Sequence, residues 1–389
     1  MADGVEVRGN RVRVYFRYQG ELCREAVSGD ATPANIANAQ RLAGTINYEI
    51  QQGTFDYARH FPNSPKVKTS TLGHYLDLLL DIKRNEMSAS GYRGHASKVR
   101  NHIRPKWGDR QAESIEHIEV TAWVQQELMP KLHNKTIRDI VNIMHQTYTL
   151  YRSSNRSAHD PTTGITIKLP DTEEVDPFNR EEIEKILTPD ADLEQEINLA
   201  QFMLWSGPRV SEAISLAWED VIDLEAGIIR FRRAQVRGHY KVTKTRRSNR
   251  ELKLLKPAHD ALLAQFKLTG HLPPVEVAVT DRDNRTVRKS RLRFVFHKTT
   301  TQAAWTSSDV LLKNWWVGHL EKHGVRYRSP RNCRHTFASQ VLSTGVAPVE
   351  WIAEYMGHTS TAMIHRHYGT WIPRRAHDQL DIIAAALKF

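Results

Sequence analysis

Between Arg11 and Tyr18 the chain alternates strictly: Val12, Val14, Phe16 and Tyr18 occupy one set of positions, Arg11, Arg13, Tyr15 and Arg17 the other. A period of two belongs to a strand with one apolar and one polar face. Gly9-Asn10 and Gln19-Gly20 are turn signals on either side, so "VEVRGNRVRVYFRYQGELCREAV" predicts three short strands. The period then becomes helical over "TPANIANAQRLAGTINYEIQQG". Thr32 is the expected cap, Pro33 sits in the first turn, and Gly53 ends the helix.

From about Val67 to Arg152 the pattern is helical throughout. "TLGHYLDLLLDIKRN", "GYRGHASKVRNHI" and "VTAWVQQELMPKL" carry apolar residues at helical spacing, and "NKTIRDIVNIMHQTYTLYR" is the longest run, opening on Asn134 as its cap. Helices this close together predict a small bundle. Next comes "SSNRSAHDPTTGITIKLPDTEEVDP", rich in Ser, Thr, Asp and Pro and without periodicity, which reads as a linker. Asn179 followed by Glu182 then predicts a capping box at the start of a new unit. From there to the C-terminus the signals mix. "GIIRFRRAQV" and "RFVFHK" read as strands; "INLAQFMLWS", "VSEAISLAWEDV", "AHDALLAQF", "TFASQVLST" and "PVEWIAEYMG" read as helices. The expected organisation is a small three-stranded sheet with a helix over 1–62, an all-α bundle over 66–155, a linker over 156–177 and a mixed α+β domain over 178–389.

Composition narrows the partner. The 389 residues allow two or three domains. The longest apolar run, "YLDLLLDI", is too short to span a bilayer, so no membrane partner is expected. "MADGVEVRGN" has no basic head followed by an apolar stretch, so no signal peptide is predicted. Two cysteines, Cys23 and Cys333, argue against a disulfide framework and a four-cysteine zinc site, and favour a reducing, cytoplasmic setting. The formal net charge of +11 favours a polyanion. Its distribution is the stronger signal: "FRRAQVRGHYKVTKTRRSNRELKLLK" holds ten Lys or Arg and one acid, Glu251. Lys241, Arg246 and Arg247 in that run, Arg11, Arg13 and Arg17 on the strand face, and Lys98 and Arg100 on a helix are candidate phosphate contacts. On the strand face a merely solvated polar face is as good a reading; for Lys98 and Arg100 it is the plainer one.

Three stretches carry candidate chemistry. In "SGPRVSEAISLAWEDV", Arg209 heads a helix and Glu212 lies one turn on, placed to hold it. In "RNCRHTFASQVLSTG", Arg331, Arg334 and His335 precede the apolar face of a helix, and a guanidinium fork there suits a phosphate. In "GHTSTAMIHRHYGTW", His358, His365 and His367 crowd towards Tyr368. A zinc site would also use close histidines, but no acid or cysteine partner sits nearby at metal spacing.

Taken in order, these stretches resemble the tyrosine recombinase (phage integrase) family. "SGPRVSE" matches its first motif with Arg209 and Glu212, "TKTRRSNREL" its strand-turn lysine with Lys244, "RNCRHTF" its second box with Arg334, "YMGHTS" its Gly-His motif with His358, and "HYGTWIP" its nucleophile with Tyr368. Lys241 is the nearest rival to Lys244. The box usually begins with His, and here that position is Arg331, which can donate to a phosphate but cannot shuttle a proton near neutral pH. The helical segment resembles the family's core-binding domain and the N-terminal strands its arm-binding domain.

The resemblance implies the mechanism. Tyr368 would attack a phosphodiester and form a 3′-phosphotyrosyl link, with Arg209, Arg334, Arg331 and His358 stabilising the developing charge and Lys244 protonating the departing 5′ oxygen. It implies double-stranded DNA at core and arm sites, a homotetramer acting through a Holliday junction, no cofactor or metal, and work at the nucleoid of a bacterial host. A host DNA-bending protein and an excision factor are further partners implied. The rival readings are a type IB topoisomerase and a non-catalytic DNA-binding protein on the same fold. The segment "RRAHDQLDIIAAALKF" after Tyr368 is expected to dock on a neighbouring protomer.

Overall fold

The computed structural model describes residues 4–371 apart from 19, 63, 65, 67–70, 156–157, 171–174, 244–248 and 359. The chain forms two compact units, residues 1–84 with 91–169 and residues 85–90 with 170–389. Among the described residues no helix is long and apolar enough to cross a membrane.

In the first unit the alternation is realised as drawn. β1 (Val5–Arg8), β2 (Arg11–Tyr18) and β3 (Glu21–Asp30) form an antiparallel sheet in that order. Val12, Val14 and Phe16 are buried on one face against Ala39, Ala43 and Ile46 of the Pro33–Gln52 helix. Thr32 caps that helix through a hydrogen bond from Asn35 N at 3.2 Å, and Gly53 closes it in the left-handed region at φ 71°. Arg11 and Arg17 are exposed on the other face.

A second core in this unit gathers Leu72, Leu76, Ile103, Trp107, Trp123, Ile137, Ile140 and Met144 from the predicted helices. The longest helix runs Asn134–Ser154, and its cap is His133. Asn134 is already helical, and its side-chain amide donates to Lys168 O at 2.7 Å. The stretch read as a linker divides unequally. Its first part lies on the bundle: Ile167 joins the core, and buried Asp160 meets His145 Nδ1 at 2.6 Å. Local composition missed this because tertiary contacts satisfy its polar groups.

The second unit has one large core, led by Phe202, Phe231, Phe296, Trp316 and Phe337, and two sheets. β4 (Val221–Asp223), β5 (Ile228–Phe231) and β8 (Arg250–Lys253) form one, in the order β4-β5-β8. β6 (Arg233–Val236), β7 (His239–Val242), β9 (Val275–Thr280) and β10 (Val287–Leu292) form the other, in the order β10-β9-β7-β6. The Asn179 box forms with both bonds, Glu182 N to Asn179 Oδ1 at 2.8 Å and Asn179 N to Glu182 Oε2 at 2.9 Å.

Two expectations differ. "VSEAISLAWEDV" is α-helical only over Val210–Ala213, with a 3-10 turn at Trp218–Asp220. Past Ala213, Leu216 O accepts from Val295 N at 2.9 Å, and Trp218 N donates to Arg293 O at 2.8 Å. "RFVFHK" is the partner of that pairing and makes isolated bridges rather than a strand; β10 falls just before it. Cross-chain pairing has overridden a local helical period.

Behind this turn Arg233 and Asp220 form a buried two-pronged pair at 2.6 and 3.0 Å, and Asp220 also accepts from Ala217 N at 3.0 Å. The pair ties β6, and with it β7, to the turn that follows Arg209. Asp220→Ala leaves a buried guanidinium without its carboxylate and should destabilise this unit by about 3–5 kcal/mol. Urea unfolding followed by tryptophan fluorescence checks this; a loss well under about 1 kcal/mol would mean that water solvates Arg233 once the carboxylate is gone.

Candidate active site

The site is assembled from helix ends within the second unit. The Glu194–Ser206 helix stops at Gly207 with φ 60°. A Cβ there would lie 2.4 Å from Phe337 Cδ1, so this close approach needs glycine. Pro208 and Arg209 follow, Arg209 with the extended backbone of a helix cap, φ −69° and ψ 146°. Glu212 reaches back from the first turn. It accepts from Arg209 N at 2.9 Å and from Arg209 Nη1 at 2.6 Å.

Arg334 enters from the first turn of the Asn332–Ser343 helix and is 7% exposed. Nη1 donates to Gly207 O at 2.7 Å, while Nη2 donates to Met356 O at 2.7 Å and to His358 Nε2 at 2.8 Å. Met356 ends the Val349–Met356 helix, which Gly357 closes at φ 72°. His358 is thereby held against Arg334. A guanidinium has only donors, so Nε2 accepts and the ring proton sits on Nδ1, which is buried without a partner among the described residues. His358 was expected as a donor to phosphate; in this arrangement its Nε2 faces Arg334 instead.

Tyr368 closes the Ala362–Tyr368 helix and is 2% exposed. Its hydroxyl lies 2.6 Å from Nδ1 of His335. Arg209, Arg331, Arg334, His335, His358, His367 and Tyr368 line one cavity of about 450 Å³. Arg331 stands exposed at its edge.

The electrostatics follow from burial among cations. Burial pushes Tyr368 up to about 12, against the pull of Arg334 and Arg331, so it is a phenol at neutral pH. Burial lowers Arg334 to about 9, with Glu212 opposing, and it stays charged. Burial, then Arg334, Arg209 and Arg250, take His358 down to about 3. Burial, then Arg331, Arg334 and His367, take His335 to about 4. Both histidines are therefore neutral at pH 7. Glu212 is the counterweight. Burial alone would raise its carboxyl, but Arg250, Arg209 and Arg334 together hold it below its ordinary value.

The remaining candidates fall elsewhere. Lys244, Arg246 and Arg247 lie outside the described residues, as does the C-terminal segment beyond Trp371. Lys241, on β7, directs Nζ to Asn284 Oδ1 and does not line the cavity. Lys98 pairs with Asp139 at 3.3 Å, and Arg100 Nε donates to Asn101 Oδ1 at 3.3 Å. His365 is exposed, and the described residues hold no group of three potential metal ligands.

Two residues escaped the sequence reading of the site. Arg250 is 8% exposed, donates to Tyr355 O at 2.6 Å and meets Glu212 Oε2 at 3.3 Å. Its signal was an arginine on the apolar phase of "RELK", hidden inside a basic run. His335 stands beside Arg334 in the sequence with no signal of its own. Neighbouring residues on a helix diverge by about 100°, so Arg334 turns to His358 while His335 turns to Tyr368.

Comparison with known proteins bears on the family. Residues 2–65 match an arm DNA-binding domain, and residues 177–370 match the phage integrase family. A prophage integrase, IntR, of Escherichia coli strain K12 is 31% identical over 411 aligned positions, covering 99% of this chain and 98% of that protein. The chain belongs to the phage integrase family. It is a tyrosine-type site-specific recombinase. Two solved structures share the fold of this recombinase. The Tn1549 transposon integrase, in complex with a circular intermediate DNA, matches with a TM-score of 0.64 at 16% identity over 82% of this chain and 99% of that one. A lambda integrase tetramer bound to a Holliday junction matches at 0.57 and 13%, over 97% of this chain and 96% of that one.

Glu212→Gln keeps the shape and removes the charge that balances the arginines. It should cost about 3–5 kcal/mol near neutral pH. A depressed carboxyl stabilises fully above its unfolded value, and that contribution is lost as the pH falls through the folded value. The difference between the two proteins should therefore shrink on acidification; equal differences in urea unfolding at pH 7 and at about pH 3 would contradict this.

Proposed function

We propose that this recombinase cleaves and rejoins duplex DNA through a 3′-phosphotyrosyl link on Tyr368, joining two sites in a tetramer by way of a Holliday junction, to integrate and excise a prophage. One observation carries the reading: a tyrosine hydroxyl opens on the same cavity as the guanidinium groups of Arg209, Arg331 and Arg334. Attack on a phosphodiester builds charge on its non-bridging oxygens, and fixed cations aimed there stabilise it without reorganising. Arg334 is the most rigidly fixed of them, held by two backbone carbonyls and His358. Glu212 positions Arg209. His358 acts through Arg334, and Lys244 supplies the proton to the departing 5′ oxygen. The phosphotyrosyl link conserves the bond energy, so rejoining needs no nucleotide.

The prophage integrase relative supports the biological role, and the lambda integrase tetramer on a Holliday junction supports the assembly. An arm DNA-binding match supports an integrase over a type IB topoisomerase. In this reading residues 1–62 hold arm sites, 66–155 the core site and 178–389 the catalytic centre, with 156–177 between them, at the chromosome of a bacterial host. Arg11, Arg13 and Arg17 of the arm sheet, Lys98 and Arg100 of the bundle, and Lys241, Arg246 and Arg247 contact phosphates. The ion pair between Lys98 and Asp139 at 3.3 Å is partly exposed, and a phosphate can compete with the carboxylate for the ammonium.

Tyr368→Phe on a nicked suicide duplex should bind with wild-type affinity and form no covalent adduct, whereas the wild type traps one. An adduct in the variant would move the nucleophile elsewhere. For the arm sheet, replacing Arg11 and Arg17 by Ala should weaken arm-site binding. It should also reduce the slope of log K against log salt by about 0.9 for each phosphate that the variant no longer neutralises. Fluorescence anisotropy at several salt concentrations reads the slope; an unchanged slope removes that face from the interface.

A further inference from the structure

We propose that His335 is the base that takes the phenolic proton of Tyr368 as the hydroxyl attacks the scissile phosphate. The inference rests on the reading of Tyr368 as nucleophile and asks where its proton goes. A phenol attacking phosphorus must lose that proton to an acceptor within hydrogen-bond reach. Among the described residues the hydroxyl has one hydrogen-bond partner, His335 Nδ1 at 2.6 Å. The His335 ring is half-buried in the cavity wall, its centroid 5.6 Å from that of Tyr368.

The other groups around the hydroxyl do not serve. Arg331 and Arg334 have only donors. His358 spends Nε2 on Arg334, and its Nδ1 carries the proton. His367 lines the cavity, but its ring lies 6.4 Å from that of Tyr368 and makes no hydrogen bond to the hydroxyl.

The charges facing His335 come from its own helix, Arg331 and Arg334, and from the facing one, His367. After burial they account for its low proton affinity, about 4, beside a phenol raised to about 12. In the free protein the proton therefore stays on Tyr368. A phosphate between the arginines cancels part of the field that holds His335 down. Bond formation to phosphorus acidifies the phenol at the same moment, so the base is active only with DNA in place. In the step itself the Oη–P bond forms, the P–O5′ bond breaks, the phenolic proton passes to Nδ1, and the 5′ oxygen takes a proton from the separate general acid. Rejoining returns the proton from Nδ1 to the departing phenolate.

The test is single-turnover cleavage of a nicked suicide duplex by the full chain, comparing wild type, His335→Ala and His335→Gln from about pH 6 to 9, with DNA affinity measured alongside. A neutral base gives the wild type a flat profile over most of that range. Both variants should bind DNA normally and cleave about 10²–10⁴-fold more slowly at pH 7. With hydroxide as the remaining acceptor, the deficit should shrink about tenfold per pH unit. A 5′-bridging sulfur, which leaves without a proton, should not restore cleavage, and added imidazole should restore part of it in His335→Ala. A glutamine can accept the hydrogen bond but not the proton. Wild-type cleavage by His335→Gln, an unchanged rate in His335→Ala, or a deficit equal at every pH would overturn the proposal. Absence of any adduct with the wild type would overturn the underlying reading of Tyr368 instead.

Discussion

A single buried carboxylate underlies the candidate active site. Glu212 is 1% exposed, bonds to Arg209 and Arg250, and shares its field with Arg334. Burying a carboxylate is costly, and close cations are what make it tolerable here. The converse also holds. Three guanidinium groups packed this closely repel one another, and one carboxylate cannot neutralise them. The site therefore carries excess positive charge, fixed in place and facing a cavity, which suits an anion.

Backbone carbonyls at helix ends do the rest of the holding. The helix before Arg209 and the helix before His358 both end at a left-handed glycine, Gly207 and Gly357. The last carbonyls of a helix lack partners within it and carry its negative pole. Gly207 O and Met356 O accept from Arg334, and Tyr355 O accepts from Arg250. The glycines in "SGPR" and "YMGH" are thus part of the arginine cradle. They turn the chain so that these oxygens face inward.

Much of this was readable in advance, for a physical reason in each case. Caps at Thr32 and Asn179 depend on neighbours within three residues, and they formed as expected. The face of β2 depends on a strict period of two, and its apolar residues are buried. Where distant segments compete, local pattern fails. "VSEAISLAWEDV" has a helical period, yet it breaks after Ala213 because its backbone pairs with Arg293 and Val295. Asn134 resembles a cap, but its amide is drawn to Lys168 O, inside the segment read as a linker.

The sequence by itself determined which residue types were present, in what order, and at what spacing from turn-forming glycines. That was enough to single out Arg209, Arg334, His358 and Tyr368 as candidates and to bring out a family resemblance, because motif order is a property of the chain. Only the tertiary structure decided which atom meets which. A run such as "CRH" cannot say that Arg334 turns to His358 while His335 turns to Tyr368; that depends on where two other helices end. Nor can an arginine in a basic run announce that it is the buried partner of a glutamate far earlier in the chain. Proton positions, field strengths and the balance of charge are set by distances of a few ångströms between segments far apart in the chain. Such distances exist only after folding.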